Sequence, residues 1–457
     1  MTPERFTRSV RLEVPAQRAF AWHCAPGAFE RLAPPWMGVE RLSGPDGILE
    51  GAEVELRVRQ GPFRCRWVAR HRDVRPPLQF VDEQVRGPFS CWVHAHRFEP
   101  DGTSACLLSD EVEFRPPLGL GAGWVRAELE RLFRYRHAVT RLDLRAHAAA
   151  PARPLRVLVT GSRGLLGAHL LPYLSAGGHH PVRLLHRPVP SLPDALTLDS
   201  ADPAAWEGLD AVVHLAGANL AARRWTPARK RELASSRVEF TRRLAERLAA
   251  LANPPPVLVC ASATGIYGDL PRGEKVTEDA PPGEGFLAAL ARDWEAAAGP
   301  AARAGIRVVH LRFGMVLSPR GGALGKMLPA FRTGLGGPLG DGTQWVSWIA
   351  LDDALDAILH ALGRRALAGP VNAVAPFPVS NASFASSLAR ALGRPAALRA
   401  PAAALRLAFG EMADALLLRG AQATPARLLA EGFSFRYPVL DAALRHLLGR
   451  YPPLATE

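Results

Sequence analysis

Two different rhythms of apolar and polar positions divide the chain. Before about residue 150 the apolar residues mostly alternate: Phe6 to Val14, Phe63 to Ala69 and Ser90 to Phe98 each place every second side chain on one face, which predicts half-buried β-strands. Two stretches have helical spacing instead. Pro15 to Leu32 carries Phe20, Trp22 and Phe29, and a longer run from about Gly119 to Leu142 carries Trp124, Leu129, Leu132 and Phe133. An antiparallel sheet wrapped on one long helix is the packing these parts predict. Beyond residue 155 the rhythm changes to short β-branched runs: Arg156 to Thr160, Pro181 to Leu185, Ala211 to Leu215, Pro256 to Ala261 and Arg307 to Leu311, with helical segments between them. Such alternation predicts an α/β domain with a doubly wound parallel sheet. The stretch Arg145 to Pro154, rich in Ala and Pro and without a hydrophobic period, is the predicted connection, with the boundary near residue 152.

Composition narrows the classes. At roughly 150 residues per domain, 457 residues predict about three domains, and 48% hydrophobic content is ample for large cores. The net charge of +13 comes from 56 basic and 43 acidic residues, of which 53 are Arg and only Lys230, Lys275 and Lys326 are Lys. So lopsided a ratio reads as coding bias, and the basic run from Arg223 to Arg247 is not interleaved with aromatics in the manner of a single-strand binder, so no nucleic-acid partner is expected. Cys24, Cys65, Cys91, Cys106 and Cys260 are an odd set without CxxC spacing, which reads as reduced thiols of a cytoplasmic protein, and no metal site is assigned. The opening MTPERFTRSVRLEV lacks the apolar core of a signal peptide, and no run approaches about 18 apolar residues, so no membrane span is expected.

The run RVLVT leads directly into Gly161-Ser162-Arg163-Gly164-Leu165-Leu166-Gly167 and then a helical stretch. A first glycine permits the tight turn, a second lets backbone approach a pyrophosphate, and a third allows close helix-to-strand packing. The helix N-terminus presents N–H groups and a positive dipole end to the phosphates. The second strand ends Leu185-His186-Arg187 without the carboxylate that receives the ribose hydroxyls of NAD. Arg187, with Arg163 beside it in the loop, suits the 2′-phosphate instead, so NADP(H) is expected over NAD(H).

With Leu215-Ala216-Gly217 after the third strand and Ser262 to Gly268 after the fourth, this pattern resembles the extended short-chain dehydrogenase/reductase superfamily. More narrowly, Arg224-Trp225-Thr226, Thr277 to Pro282, Arg312-Phe313-Gly314, Gly334 to Gly340 and Gln344 to Ile349 resemble its atypical, sugar-epimerase-like members. The resemblance implies an NAD(P)-binding Rossmann domain over residues 155–377 and a small C-terminal substrate domain over 378–448. It also implies, joined through a linker at 148–154, an N-terminal α+β helix-grip domain of the SRPBCC or START-like type over 1–147, whose sheet and helix enclose an apolar ligand.

Typical superfamily members use a Tyr and a Lys four residues later, the cation lowering the phenol pKa for proton exchange with substrate. Here none of the five tyrosines is followed by Lys at that spacing, and the expected positions fall near Phe286 and Leu290. Remaining candidates for the chemistry are Ser262, Thr264 and Tyr267, the last expected chiefly to stabilise its loop. Asp293 and Glu295 are expected on a solvated helix face, and Ala350 stands where the resembled proteins carry a His. Arg223 and Arg224 are expected near a cleft mouth. The arginines Arg242 and Arg243 should pair with Glu239 along one helix. Trp345 and Trp348 are expected in a pocket wall or the core, His214 as a packing residue, and Lys326 near a phosphate.

These features imply an NADP(H)-binding, epimerase-like oxidoreductase or isomerase acting on a small anionic or apolar substrate without the Tyr-Lys pair. Two alternatives stay open: a catalytically silent NADP(H)-binding regulator, of a kind linked to cell division, and an N-terminal carrier that feeds an apolar ligand to the reductase-like domain.

Overall fold

In the computed structural model, residues 2–60, 63–117, 120–150, 153–192, 194–200, 202, 204–268 and 274–452 are described. The chain forms two compact units, one comprising 1–152 with 172–179 and 449–457, the other 153–171 with 180–448.

In the first unit seven strands, β1 (Glu4–Leu12), β2 (Gly38–Ser43), β3 (Glu53–Gln60), β4 (Phe63–Arg75), β5 (Gln79–Arg86), β6 (Cys91–Asp101) and β7 (Ala105–Arg115), form one antiparallel sheet. Its order is β1-β7-β6-β5-β4-β3-β2. The segment expected as one helix from Pro15 is two, α1 (Ala16–Cys24) and α2 (Ala28–Leu32). Gly27 at φ +90° makes the break, in a conformation that L side chains rarely adopt. The long helix α3 runs Ala122–Ala148, so the expected start at Gly119 lies outside the described residues, and its end invades the predicted connection. Alanine at 146 and 148 is the strongest helix former, so the lack of a hydrophobic period there did not end the helix. Of that connection, Pro151 and Ala152 lie outside the described residues.

Two apolar clusters hold α3 and the flanking helices to the sheet. One gathers Phe6, Val112, Phe114, Val125, Leu129 and Phe133. The other gathers Leu12, Phe20, Trp22, Phe80, Phe98, Leu108 and Leu144. The sheet face between them is polar. Across β4 to β7, His71 pairs with Asp82, Asp82 with His94, and His96 with Asp110, so one row of the inner face carries titratable groups. From α3, His137 joins the row through a 2.6 Å contact between Nε2 and Asp110 Oδ2. The expected apolar ligand space at the centre of this grip is thus taken by charged and imidazole groups.

In the second unit, β8 (Arg156–Thr160), β9 (His180–Leu185), β10 (Leu196–Thr197), β11 (Ala211–His214), β12 (Val257–Ala263), Arg307–Phe313 and Gly369–Ala373 form a parallel sheet. Its order is β10-β9-β8-β11-β12 followed by the last two strands in turn. The helices α4 (Leu165–Ala176), α5 (Pro227–Ala234), α6 (Phe240–Ala249) and α7 (Phe286–Ala296) belong to its crossovers. Strands β8, β11 and β12 are buried on both faces, as a sheet covered by helices requires. Toward the C-terminus, Leu351–Gly363 lends Asp353, whose two carboxylate oxygens accept the backbone N–H groups of Arg436 and Tyr437. That contact pins the segment leading to the final helix, Leu440–Leu448.

Phe133 is 1% exposed and stacks on Phe6 at 5.6 Å between ring centroids. Phe133→Ala should cost roughly 3–5 kcal/mol, read as faster amide hydrogen exchange in β1 and β7. Unchanged protection in those strands would contradict this account of the first core.

Candidate functional site

The site assembles at the carboxyl ends of the parallel strands. Strand order reverses between β8 and β11, and ligands of open α/β sheets bind in the crevice outside such a switch point. The glycine loop follows β8. Gly161 has φ +65°, and a Cβ there would stand 2.7 Å from the Leu215 carbonyl carbon. At Gly167 a Cβ would come within 2.4 Å of the Gly161 oxygen, so the first and third glycines are demanded by backbone packing. At Gly164, by contrast, a Cβ would meet only the Gly161 oxygen at 3.2 Å, and the residue is exposed. Its backbone is therefore open to approach from outside. Leu165 and Leu166 begin α4, so the N-terminus of a twelve-residue helix faces the same approach.

Ser162 in the loop is 3% exposed and its Oγ has no hydrogen-bond partner. A buried hydroxyl is seldom left so. A phosphate oxygen at this loop would satisfy it, so the residues present fit a dinucleotide. Arg163 in the loop and Arg187 just beyond β9 are both exposed and reach solvent near adjacent strand ends.

The Leu215-Ala216-Gly217 segment is held to the loop by a polar clamp. Thr160 Oγ1 accepts the N–H groups of Leu215 at 3.0 Å and Ala216 at 3.1 Å, so its own hydrogen points to His214 Nδ1 at 2.7 Å. Nε2 of His214 then carries the proton toward Thr241 Oγ1 at 2.8 Å. His214 is thus a neutral, fully buried member of the clamp rather than simple packing.

A second network lies at the end of β12. Ser262, 4% exposed, donates its hydroxyl to Glu295 Oε1 at 2.7 Å. Arg312, paired with Ser262 in the sheet register, grips both Glu295 oxygens at 2.9 Å in a bidentate fork. Its remaining nitrogen donates to Tyr267 Oη at 3.0 Å and to the Glu278 carbonyl at 3.1 Å. Burial works against the Glu295 carboxylate, but the hydrogen bonds from Arg312 and Ser262 outweigh it and hold the pKa below the ordinary value. This corrects the expectation of a solvated face: Asp293 is exposed, whereas the Glu295 side chain retains 13% exposure. The residues are two apart on α7, and a helix turns them about 200° from each other.

The other expected residues scatter. Tyr267 is 1% exposed and its hydroxyl donates to Asn372 Oδ1 at 2.6 Å, so its contacts are those of a loop anchor. Thr264 Oγ1 donates to the Phe313 carbonyl at 3.4 Å. Phe286 is the first residue of α7, with Lys230 4.9 Å above its ring. Trp348 is a core residue at 0% exposure, while Trp345 is half-buried, and Ala350 is buried. Lys326 Nζ donates to the Ala221 carbonyl at 2.8 Å, and Arg223 pairs with Glu232. Arg242 and Arg243 do not pair with Glu239 as expected: they pair with Glu246 and Asp199. Arg242 takes the carboxylate four residues on along the same helix, and Arg243 reaches Asp199 outside it. In the sequence Arg312 figures only within the Arg312-Phe313-Gly314 motif, with no role assigned, although a charged residue at the penultimate position of a buried parallel strand marks it out.

Strand order, glycine loop and switch point together define a Rossmann-type dinucleotide fold. Residues 157–373 match the NAD dependent epimerase/dehydratase family, 400–447 a domain of unknown function, DUF1731, and 12–135 the polyketide cyclase/dehydrase and lipid transport family. The epimerase family protein MT2273 of Mycobacterium tuberculosis is 42% identical over 299 residues, covering 64% of this chain and 98% of its own. Human epimerase family protein SDR39U1 is 37% identical over 297 residues, 64% of this chain and all of its own. The chain belongs to this epimerase family. Among solved structures, a nucleoside-diphosphate sugar epimerase from Corynebacterium glutamicum superposes with TM-score 0.78 at 33% identity over 97% of this chain and 90% of that one. The human SDR39U1 structure, solved with NADPH, gives 0.60 at 37% over 64% and 99%. The expected family, with its small C-terminal domain and its SRPBCC-type N-terminal domain, therefore holds.

Burial, aided by the charge of Arg237, pushes the His214 pKa from 6.5 to about 3. A folded pKa below the unfolded one favours the neutral fold above pH 6.5 and removes that stability as pH falls toward 3. Between pH 6 and 4, wild type should lose roughly 1 kcal/mol per pH unit more than His214→Gln, measured by urea midpoints. Equal slopes would refute the assignment of a buried neutral imidazole.

Proposed function

We propose that the chain is an NADP(H)-dependent oxidoreductase or isomerase that handles its substrate hydroxyl through Ser262 instead of a Tyr-Lys pair. The observation that carries cofactor binding is the unpartnered, buried Ser162 hydroxyl inside a glycine loop at the switch point. The Gly161, Gly164 and Gly167 backbone would hold the pyrophosphate, Leu215 to Gly217 would line the nucleotide side, and Arg187 with Arg163 would meet the 2′-phosphate. The NADPH named with the human relative supports the same choice. A bound nicotinamide would supply hydride transfer.

What this chain's own residues do follows from the Ser262 network. Because the Glu295 carboxylate takes the Ser262 hydrogen, the serine lone pairs are left to accept from a substrate hydroxyl. Arg312 keeps Glu295 ionised and unable to rotate away. Thr264 is kept as an auxiliary hydroxyl, and Tyr267 as the support of the turn. A cytoplasmic setting and a small-molecule substrate are part of the proposal; no helix among the described residues is long and apolar enough to cross a membrane.

A second reading, binding without turnover, is favoured by Phe286 and Leu290 at the positions of the absent pair and by the engaged Tyr267 hydroxyl. The carrier reading finds less support, since the centre of the N-terminal sheet is lined by His94, His96 and Asp110 where apolar cargo would lie.

Fluorescence titration should show NADPH bound at least tenfold more tightly than NADH, with Arg187→Ala losing most of that difference. Equal losses for both cofactors would count against Arg187. Across a panel of carbonyl compounds and nucleotide sugars, Glu295→Gln and Ser262→Ala should each lower kcat/KM by roughly a hundredfold while NADPH affinity stays constant. Tight NADPH binding without turnover by wild type on any compound would establish the silent reading instead.

A further inference from the structure

The polar row in the N-terminal sheet is more than an ion-paired core. Asp82, His94 and His96 each offer a ligand atom, and the three atoms lie within 4.8 Å of one another. The two histidines are 3% and 5% exposed. Strand geometry explains the convergence: residues 94 and 96 of β6 share a face, and Asp82 is the cross-strand partner of His94 on β5. We propose that these three side chains bind a divalent first-row transition ion, a site of two imidazoles and one carboxylate.

Three observations carry this beyond a cluster of polar groups. First, His96 is a buried imidazole without a hydrogen bond of proper geometry. Its Nδ1 lies 2.8 Å from Asp110 Oδ1 but makes no hydrogen bond there, and its Nε2 stands 3.4 Å from Asp82 Oδ2. A separation of about 3.4 Å is too long for a good hydrogen bond, yet it is the spacing of two ligand atoms on one tetrahedral ion with bonds near 2.0–2.1 Å. The remaining separations are at most 4.8 Å, so an ion would draw the ligands together by small side-chain shifts.

Second, the ligands already have the outer partners that a metal site needs. His94 Nε2 donates to Asp110 Oδ1 at 2.8 Å, which fixes the tautomer and leaves Nδ1 with its lone pair. His71 Nδ1 bonds Asp82 Oδ1 at 2.6 Å, which orients that carboxylate and leaves the other oxygen toward His96. Asp110 is itself held by His137 from α3.

Third, a cleft reaches the outer edge of the network. His137, one residue outward in the network, lines a cleft of about 220 Å³ with Arg8, Ser9, Val10 and Arg141. Imidazole and carboxylate together select zinc, iron, cobalt or nickel over calcium and magnesium, which favour oxygen ligands alone. All five cysteines are free, and none belongs to the set.

The test uses the untagged full-length chain, stripped with chelator and titrated with Co²⁺. Expected are one ion per chain, visible d–d absorption, its loss on adding Zn²⁺, and a higher unfolding temperature with either ion. His94→Ala and Asp82→Asn should weaken Co²⁺ binding by about a hundredfold or more, while His186→Ala, an exposed histidine of the other unit, leaves it unchanged. Circular dichroism checks that the variants fold. Should they not, X-ray absorption of the zinc-loaded wild type decides: two imidazoles in a nitrogen and oxygen shell support the site, and sulfur neighbours or a shell without imidazole overturn it. Failure of the folded wild type to bind Co²⁺ or Zn²⁺ stoichiometrically at micromolar concentration overturns it outright.

Discussion

The bidentate contact between Arg312 and Glu295 is the constraint on which the candidate site depends. A buried ion pair contributes little net stability, because desolvating both charges offsets most of their attraction. What this one supplies is position. Arg312 comes from the strand Arg307–Phe313, Glu295 from α7, Tyr267 from the turn after β12, and Glu278 from the loop beyond it. One guanidinium therefore fixes four separate pieces of chain, and a fifth, Ser262, is oriented through the carboxylate. Lysine could not substitute, since a single ammonium cannot present the planar fork and a further in-plane donor together.

In the superfamily pattern a Lys perturbs a Tyr at the start of the helix that α7 represents here. On α7 here neither Phe286 nor Leu290 can carry a proton, and the charged side chain of that helix that reaches Ser262 is Glu295, five residues beyond Leu290. Its charge has the opposite sign to a lysine's. A cation beside a phenol makes it a better acid, whereas an anion beside a hydroxyl turns the hydroxyl's lone pairs outward and makes it an acceptor. The polar group at the end of β12 is thus an acceptor rather than an acid.

Which parts of this were legible before the structure follows from how each is encoded. The glycine loop is a local pattern, and the turn at Gly161 and the close packing at Gly167 hold in the geometry. Strands β8, β11 and β12 announce themselves by unbroken apolar runs. Helix ends at Gly27 and Ala148 were misplaced because propensity, not hydrophobic period, decides them. The Glu295 partnership was illegible for a different reason. It is made by residues 17 apart in sequence, whose meeting depends on sheet register. Helical period puts Glu295 and Asp293 on opposite faces, and only the location of Arg312 tells which of the two is buried and paired.

The N-terminal sheet shows the converse case, in which a binary pattern is right about the fold and silent about its centre. Alternation on β6 counts His94 and His96 as inward positions whether they are apolar or not, because Trp92, Phe98 and their neighbours keep the strand in register. The clusters around Phe133 and Phe98 then close the two ends of the grip. Between them stand two carboxylates and four imidazoles, a concentration of polar groups that a packed core would exclude unless each found a partner. Each has a charged or imidazole neighbour, and His96 stands between two carboxylates, 2.8 Å from Asp110 and 3.4 Å from Asp82. An apolar core of the same strands would have avoided the desolvation of these groups, so the row keeps its place through mutual pairing that register alone provides.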